Sequence, residues 1–228
     1  MVDPVSAGPE DLAAQSERTT VRRLPERQVR DRAVLHSILD SGLLAHVAFV
    51  HDQQPYAIPV AYARWDEAVV FHGSTGSRLF RSLADGIPAC LTVTLLDGMV
   101  LARSAFESSM NYRSAMVLGA CSVVEGTPKQ EALRIITEHL LPGRWEDVRQ
   151  PTRRESAATL VLSMPLTEWS LKVRDGGPED PDEDVALDFW AGVVPMSEAF
   201  GTPRPADDLR PGIPVPAYIA QWSRDPRP

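Results

Sequence analysis

The chain has little of what would tie it to an oxidising compartment, a membrane or a nucleic acid. Its only cysteines are Cys90 and Cys121. Both fall in apolar stretches without metal-ligand spacing, which argues against a disulfide framework or a zinc site and predicts two reduced core thiols. No apolar run approaches the ~18 to 20 residues of a membrane span, and the N-terminus lacks a charged-then-apolar secretory pattern, so a cytoplasmic location is expected. Positive charge is also short. Lys and Arg number 23 against 31 Asp and Glu, a net charge of −8, which argues against a sequence-independent grip on nucleic acid or an anionic membrane. A small molecule is the expected partner.

Among its 228 residues, 43% are hydrophobic and 24% charged, enough for one core with extensions. Residues 1–25 mix Pro, Gly, Ser, Glu and Arg without apolar periodicity and predict a flexible tail. Residues 26–196 carry the domain, and 197–228 form a Pro-rich extension. Within the domain, Val29, Ala33, Val34, Ile38 and Leu39 recur at helical spacing and predict a helix over 26–40. Strands are expected over 43–50, 56–64 and 68–72, then a hairpin around Asp97-Gly98 joining 89–96 to 98–104, then a long strand over 112–125. His46 in the first strand is expected as a hydrogen-bonded core histidine. Pro59 cannot donate to a ladder, so it marks an edge, a bulge or backbone turned to a ligand. Helices follow over 129–141 and 145–158, and a strand interrupted at Pro165 over 159–174. The acidic stretch 175–188 lacks Ca²⁺-loop spacing and is expected to be a solvated loop, so no metal site is predicted.

The organising stretch is residues 68–83, where an apolar strand ending in His72 breaks into Gly73-Ser74-Thr75-Gly76-Ser77-Arg78 and then into an amphipathic helix. Glycines allow close approach, hydroxyls and backbone N–H groups donate, and a guanidinium adds charge, a set that suits a phosphate monoester. An ordinary strand-to-helix turn with Ser77 as N-cap is the alternative.

Taken in order, several parts of the chain resemble the pyridoxamine 5′-phosphate oxidase-like FMN-binding split-barrel family, and within it the nitroimidazole-resistance branch. These are the helix before the barrel, the run Pro55-Tyr56-Ala57-Ile58-Pro59-Val60, and the turn from Phe71-His72-Gly73 to Ser77-Arg78. Asn111-Tyr112-Arg113-Ser114 leading to Gly119, Pro142-Gly143-Arg144 and Phe189-Trp190-Ala191-Gly192 complete the likeness, which spans residues 27–196. It implies a mainly β (α+β) fold, a six-stranded antiparallel split β-barrel with flanking helices, forming a homodimer with FMN at the interface. By the resemblance, backbone at Ile58, Pro59 and Val60 faces the flavin ring. Gly73, Ser77 and Arg78 surround the phosphate, and His72 lies by the flavin. Asn111, Tyr112, Arg113 and Ser114 belong to a segment that reaches the cofactor, and Trp190 matches an aromatic from the second subunit. Leu79 stands where pyridoxamine phosphate oxidases proper have a lysine, and Ile58-Pro59-Val60 replaces basic residues of their second strand. Both departures weigh against pyridoxine phosphate as substrate.

The function so implied is an FMN-dependent oxidoreductase passing electrons to a small nitro or quinone-like acceptor, with His72 orienting substrate or relaying a proton. Two alternatives stay open at this point. One is a flavin-binding, storage or sensor module without turnover, because no paired acid and base stands out. The other is the same scaffold carrying the deazaflavin F420 or haem.

Overall fold

The computed structural model describes residues 16–220 and 222. In chain order its strands are β1 (Gln28–Val29), β2 (Leu44–His51), β3 (Gln54–Trp65), β4 (Ala68–Ser74), β5 (Ala89–Leu101), β6 (Ser109–Gly119), β7 (Ser122–Val123), β8 (Thr159–Pro165), β9 (Trp169–Arg174) and β10 (Gly192–Pro195). Its α-helices are α1 (Arg32–Ser41), α2 (Arg78–Ala84), α3 (Gly126–Leu140), α4 (Arg153–Ala158), α5 (Asp182–Val185) and α6 (Ala217–Ala220). The fold is mainly β, antiparallel throughout, with flanking helices. Strand order is β1-β9-β6-β5-β2-β3-β4-β8-β7, with β10 added to β5, and the path does not close on itself.

The split lies in β3. Its residues 54–61 pair with β2 and its residues 62–65 with β4, so one strand leaves the first sheet and enters the second. Inward positions alternate as a pleated strand requires. Ala45, Val47, Phe49, Tyr62, Phe71, Leu91, Val93, Val117 and Leu162 fill the interior, which α1 and α2 close through Leu35, Ile38 and Leu39 and through Leu79, Phe80 and Leu83. A second apolar cluster lies on the other face of the second sheet, where Ala132 and Ile136 of α3 cover Ala63, Val70 and Val161. Tyr62 donates from its hydroxyl to Leu39 O at 2.7 Å, and His139 Nε2 meets Gly42 O at 2.7 Å, tying α1 and α3 to the same end.

Several local expectations are corrected. The helix expected from residue 26 begins at Arg32, because Asp31 caps it by accepting from Ala33 N at 2.7 Å. Residues 16–25 are not a loose tail: Thr19 is buried, and its carbonyl accepts from Ser170 Oγ of β9 at 2.7 Å. Residues 1–15 of that expected tail lie outside the described residues. His46 is exposed on the outward face of β2 rather than in the core. The strand expected over 112–125 is two, β6 and β7. The helix expected over 145–158 is a 3₁₀ turn, Trp145–Asp147, followed by α4, because Pro151 forbids continuous helix.

Asp97-Gly98 is not a turn. β5 runs through it and pairs with β6 on both sides, with the register shifting between Leu96 and Gly98. Asp97 is therefore a bulge residue, and its carboxylate accepts two bonds from Arg113 at 3.0 and 3.1 Å. A side chain at Gly98 would stand 3.0 Å from Val194 O, so this glycine is what lets β10 dock on β5.

Candidate functional site

His72 is the fifth residue of β4 and shares a face with Val70, which packs under α3. Its imidazole therefore lies on the outer, α3-covered side of the second sheet and not inside the barrel. There it lines a cleft of ≈ 400 Å³ with Leu133 and Thr137 of α3, Trp145, Arg149, Pro151, Glu155, Ser156 and Thr159. Nδ1 of His72 is buried and has no hydrogen-bond partner among the described residues. Burial lowers its pKa from the usual histidine value, so the ring is neutral near pH 7. A neutral imidazole with an orphaned nitrogen, set among Leu133, Trp145 and Pro151, is suited to ligate a metal. A bare metal ion needs three or four protein donors, and no such group of His, Cys, Asp or Glu exists among the described residues. A haem brings most of its own donors, so one protein nitrogen would serve, and the apolar residues Leu133, Trp145 and Pro151 with Arg149 at the mouth fit such a group.

The turn after His72 differs from the expected cradle of free N–H groups. Thr75 N donates to Ala158 O at 3.0 Å, Gly76 N to Ser74 Oγ at 3.1 Å and Ser77 N to Ser74 O at 2.9 Å. Three donors are thus occupied within the protein. The Ser77 hydroxyl occupies the N-cap position of α2 without capping it, and Arg78 beside it is exposed. Arg78 Nη1 donates to Tyr56 Oη at 3.0 Å, and the guanidinium stands 5.5 Å from the Tyr56 ring centroid. Gly73 has a packing reason: a Cβ there would fall 2.2 Å from the Phe80 ring.

Tyr56 leads to β3, whose residues 54–61 have no partner on the side away from β2 among the described residues. Pro55 and Pro59 face Val50 and His46 across β2. Having no N–H, they can occupy only the non-hydrogen-bonded positions of that ladder. Backbone groups of Tyr56, Ile58 and Val60 are therefore taken by β2, while those of Ala57, Pro59 and Ala61 point to the open edge. Of Ile58, Pro59 and Val60, strand alternation then leaves the Pro59 carbonyl for the open edge, and Ala57 adds an N–H there that sequence reasoning did not single out. From Pro55 and Tyr56 a mostly apolar hollow of ≈ 530 Å³ runs to the other side of β3, past Phe49 and Val50 of β2 to Cys90 and Leu118. A flat aromatic system with a phosphate tail fits these parts, its ring on the apolar wall and open edge and its phosphate at Ser77 and Arg78.

The β6 residues divide between two faces. Asn111 is buried and saturated: Oδ1 accepts from Arg174 Nη1 at 2.7 Å and Gly176 N at 3.3 Å, and Nδ2 donates to Gly176 O at 3.0 Å. Arg113, on the same inward face, holds Asp97. Tyr112 and Ser114 face outward, with Ser114 Oγ 3.4 Å from Thr94 Oγ1. Two strands, β5 and β2, separate this group from β3. Trp190 is 67% exposed and lies apart from the turn in sequence and in pairing, just before β10. The chain thus unites β3 with the 72–78 turn but not with Trp190 or the β6 group. The cleft residues from α3 and 145–156 escaped sequence reasoning; Pro142-Gly143 and Pro151 were the available sign that this stretch is loop.

Two solved structures align with nine-tenths or nearly so of this chain. The FAD and haem binding protein of Mycobacterium smegmatis is 43% identical, with 89% of this chain and 100% of that one aligned at a TM-score of 0.84. The flavocytochrome Anf3 of Azotobacter vinelandii is 39% identical over 90% of this chain and 95% of its own, also at 0.84. A 5-nitroimidazole antibiotic resistance protein of Bacteroides thetaiotaomicron shares the fold at 22% identity over 64% of this chain and 86% of its own, with a TM-score of 0.54. A search of curated proteins finds no match. The family profile described as pyridoxamine 5′-phosphate oxidase matches residues 31–173, well over half of the sequence. By that match and those two relatives, the chain belongs to the pyridoxamine 5′-phosphate oxidase family, whose barrel the strand order had already indicated.

Proposed function

We propose that this chain is a flavin- and haem-binding electron-transfer protein. The observation that carries the reading is His72: a neutral imidazole with a buried, unpartnered nitrogen in a cleft walled by Leu133, Trp145 and Pro151. Its support outside the site comes from the two relatives at 39% and 43% identity, described as a flavocytochrome and as an FAD and haem binding protein. When bound, the flavin supplies two-electron chemistry and the haem one-electron exchange.

The chain's own residues divide the work. His72 would hold the haem iron, and Leu133, Trp145 and Pro151 would meet the apolar body of the haem. Arg78 and the Ser77 hydroxyl would hold a flavin phosphate, and the open edge at Ala57 and Pro59 would meet the ring. FAD, rather than the FMN that the barrel family implies, is the flavin proposed, because the M. smegmatis relative carries that name. Placing His72 at the flavin as an orienting group for a nitro or quinone acceptor is less well served, since the imidazole lies on the α3 side of β4. A homodimer is also proposed, from the outward face of the first sheet, where Leu44, Val50, Leu96, Met99, Leu101 and Met110 are all exposed. Both cysteines are free thiols, which suits a reducing cytoplasm.

The test is the absorption spectrum of the purified full chain, before and after adding haemin, with the released flavin identified by chromatography. Flavin bands and a Soret band of a histidine-ligated haem are expected together, and His72→Ala should abolish the ligated Soret signature while retaining flavin. An unchanged Soret signature in that variant would remove His72 as the ligand and the reading with it.

A further inference from the structure

The cleft that holds His72 has a charged mouth. Arg149 and Glu155 face each other there, Nη2 donating to Oε1 at 2.6 Å and Nη1 to Oε2 at 2.8 Å. The two partners do not depend on each other equally. Glu155 Oε2 also accepts from Thr152 N at 2.8 Å and Thr152 Oγ at 3.0 Å, in a reciprocal capping box at the start of α4. The bond from Arg149, followed by those from Thr152, pushes the Glu155 carboxyl down to about 2. Arg149 has a looser hold. It sits between the Trp145–Asp147 turn and α4, its side chain is 70% exposed, and its one other bond is a 3.2 Å contact to Gln150 O. If Arg149 turned away, Glu155 would keep two bonds and α4 its cap. Exposed ion pairs contribute little in water, so the exchange is easy.

We infer that Arg149 is the specificity residue of this cleft: it leaves Glu155 to take a carboxylate on the edge of the ligand, so the cleft selects a flat apolar molecule bearing an acid group over its neutral ester. The inference rests on the haem reading, haem being such a molecule through its two propionates. Arg149 is the one cation among the lining residues. Its planar fork matches a carboxylate as it now matches Glu155. Leu133, Trp145 and Pro151 receive the apolar body, and His72 stands behind them.

The experiment titrates the full-length protein with haemin and with haemin dimethyl ester, following the Soret band. Wild type should bind the free acid about tenfold more tightly than the ester. Arg149→Gln should lose most of that preference while keeping its ester affinity. Glu155→Gln, which leaves an acceptor for Thr152 but weakens the competitor for Arg149, should strengthen haemin binding. An acid preference in Arg149→Gln equal to that of wild type would overturn the inference and leave the haem reading standing. No Soret change with either compound in wild type would overturn the haem reading, and this inference with it.

Discussion

Burial disfavours the charged form of His72, and that has a thermodynamic consequence of its own. In the unfolded chain the imidazole titrates near its ordinary value of about 6.5. In the folded protein burial lowers its pKa. Just below pH 6.5 the unfolded state therefore binds a proton that the folded state refuses, so stability is present above that value and falls as pH drops towards the folded pKa. The cofactor-free protein should lose urea resistance between about pH 7 and about pH 5.5, and His72→Gln should show a shallower loss over the same interval. Equal slopes for the two proteins would mean that the ring is protonated in the folded state. Arg78 is a contrasting case at the same scale. Its guanidinium is exposed and borrowed by Tyr56, so a phosphate can take it over without unpacking anything.

At the scale of elements, β4 and α2 are locked by a missing side chain. Phe80 of α2 fills the space above Gly73 and tilts against Phe71, the ring centroids 5.8 Å apart. Forcing a methyl group into that contact should cost about 1 to 3 kcal/mol, so Gly73→Ala should melt several degrees below wild type. In a Phe80→Ala background the same change should cost much less, the coupling exceeding about 0.5 kcal/mol. An undiminished cost would place the need for glycine elsewhere. The same two elements show what the sequence made readable. The strand-turn-helix of 68–84 is readable because periodicity and the small residues between are local properties. The packing demand on Gly73 is not readable, because only the fold brings Phe80 over it. Asp97-Gly98 fails as a hairpin for a like reason: Arg113 and β10, one from a neighbouring strand and one from far along the chain, turn a turn-forming pair into a bulge. Pro59 reads as an edge, a bulge or backbone turned to a ligand, and the fold places it on an open edge; the missing N–H is a property of the residue itself. The cleft around His72 is built from residues 133 to 159, 61 to 87 positions further along the chain and beyond the reach of any local pattern.

For the whole molecule, the open question is what covers the outward face of the first sheet. Met99 pairs with Met110 on one side and Val194 on the other, and all three are exposed together. Towards β9 the face is already roofed by residues 16–23, held by Ser170 and Lys172. A second copy is the expected cover for the rest. Sedimentation at micromolar concentration should give a dimer, and Met99→Glu should give a folded monomer, because an unpaired charge buried in the contact costs about 3 to 5 kcal/mol. A wild-type monomer, or a Met99→Glu dimer, would locate the interface elsewhere or remove it.

The two prolines of β3 carry one more consequence. An open strand edge eight residues long invites a neighbouring chain to add a strand, and in a concentrated cell that is a route to aggregation. Pro55 and Pro59 remove every second donor along this edge, leaving Ala57 and Ala61 as isolated N–H groups. A small planar guest needs only one such donor, whereas a polypeptide needs the whole row. The edge is thereby suited to a small guest, such as the flavin proposed above, and unsuited to fibril growth.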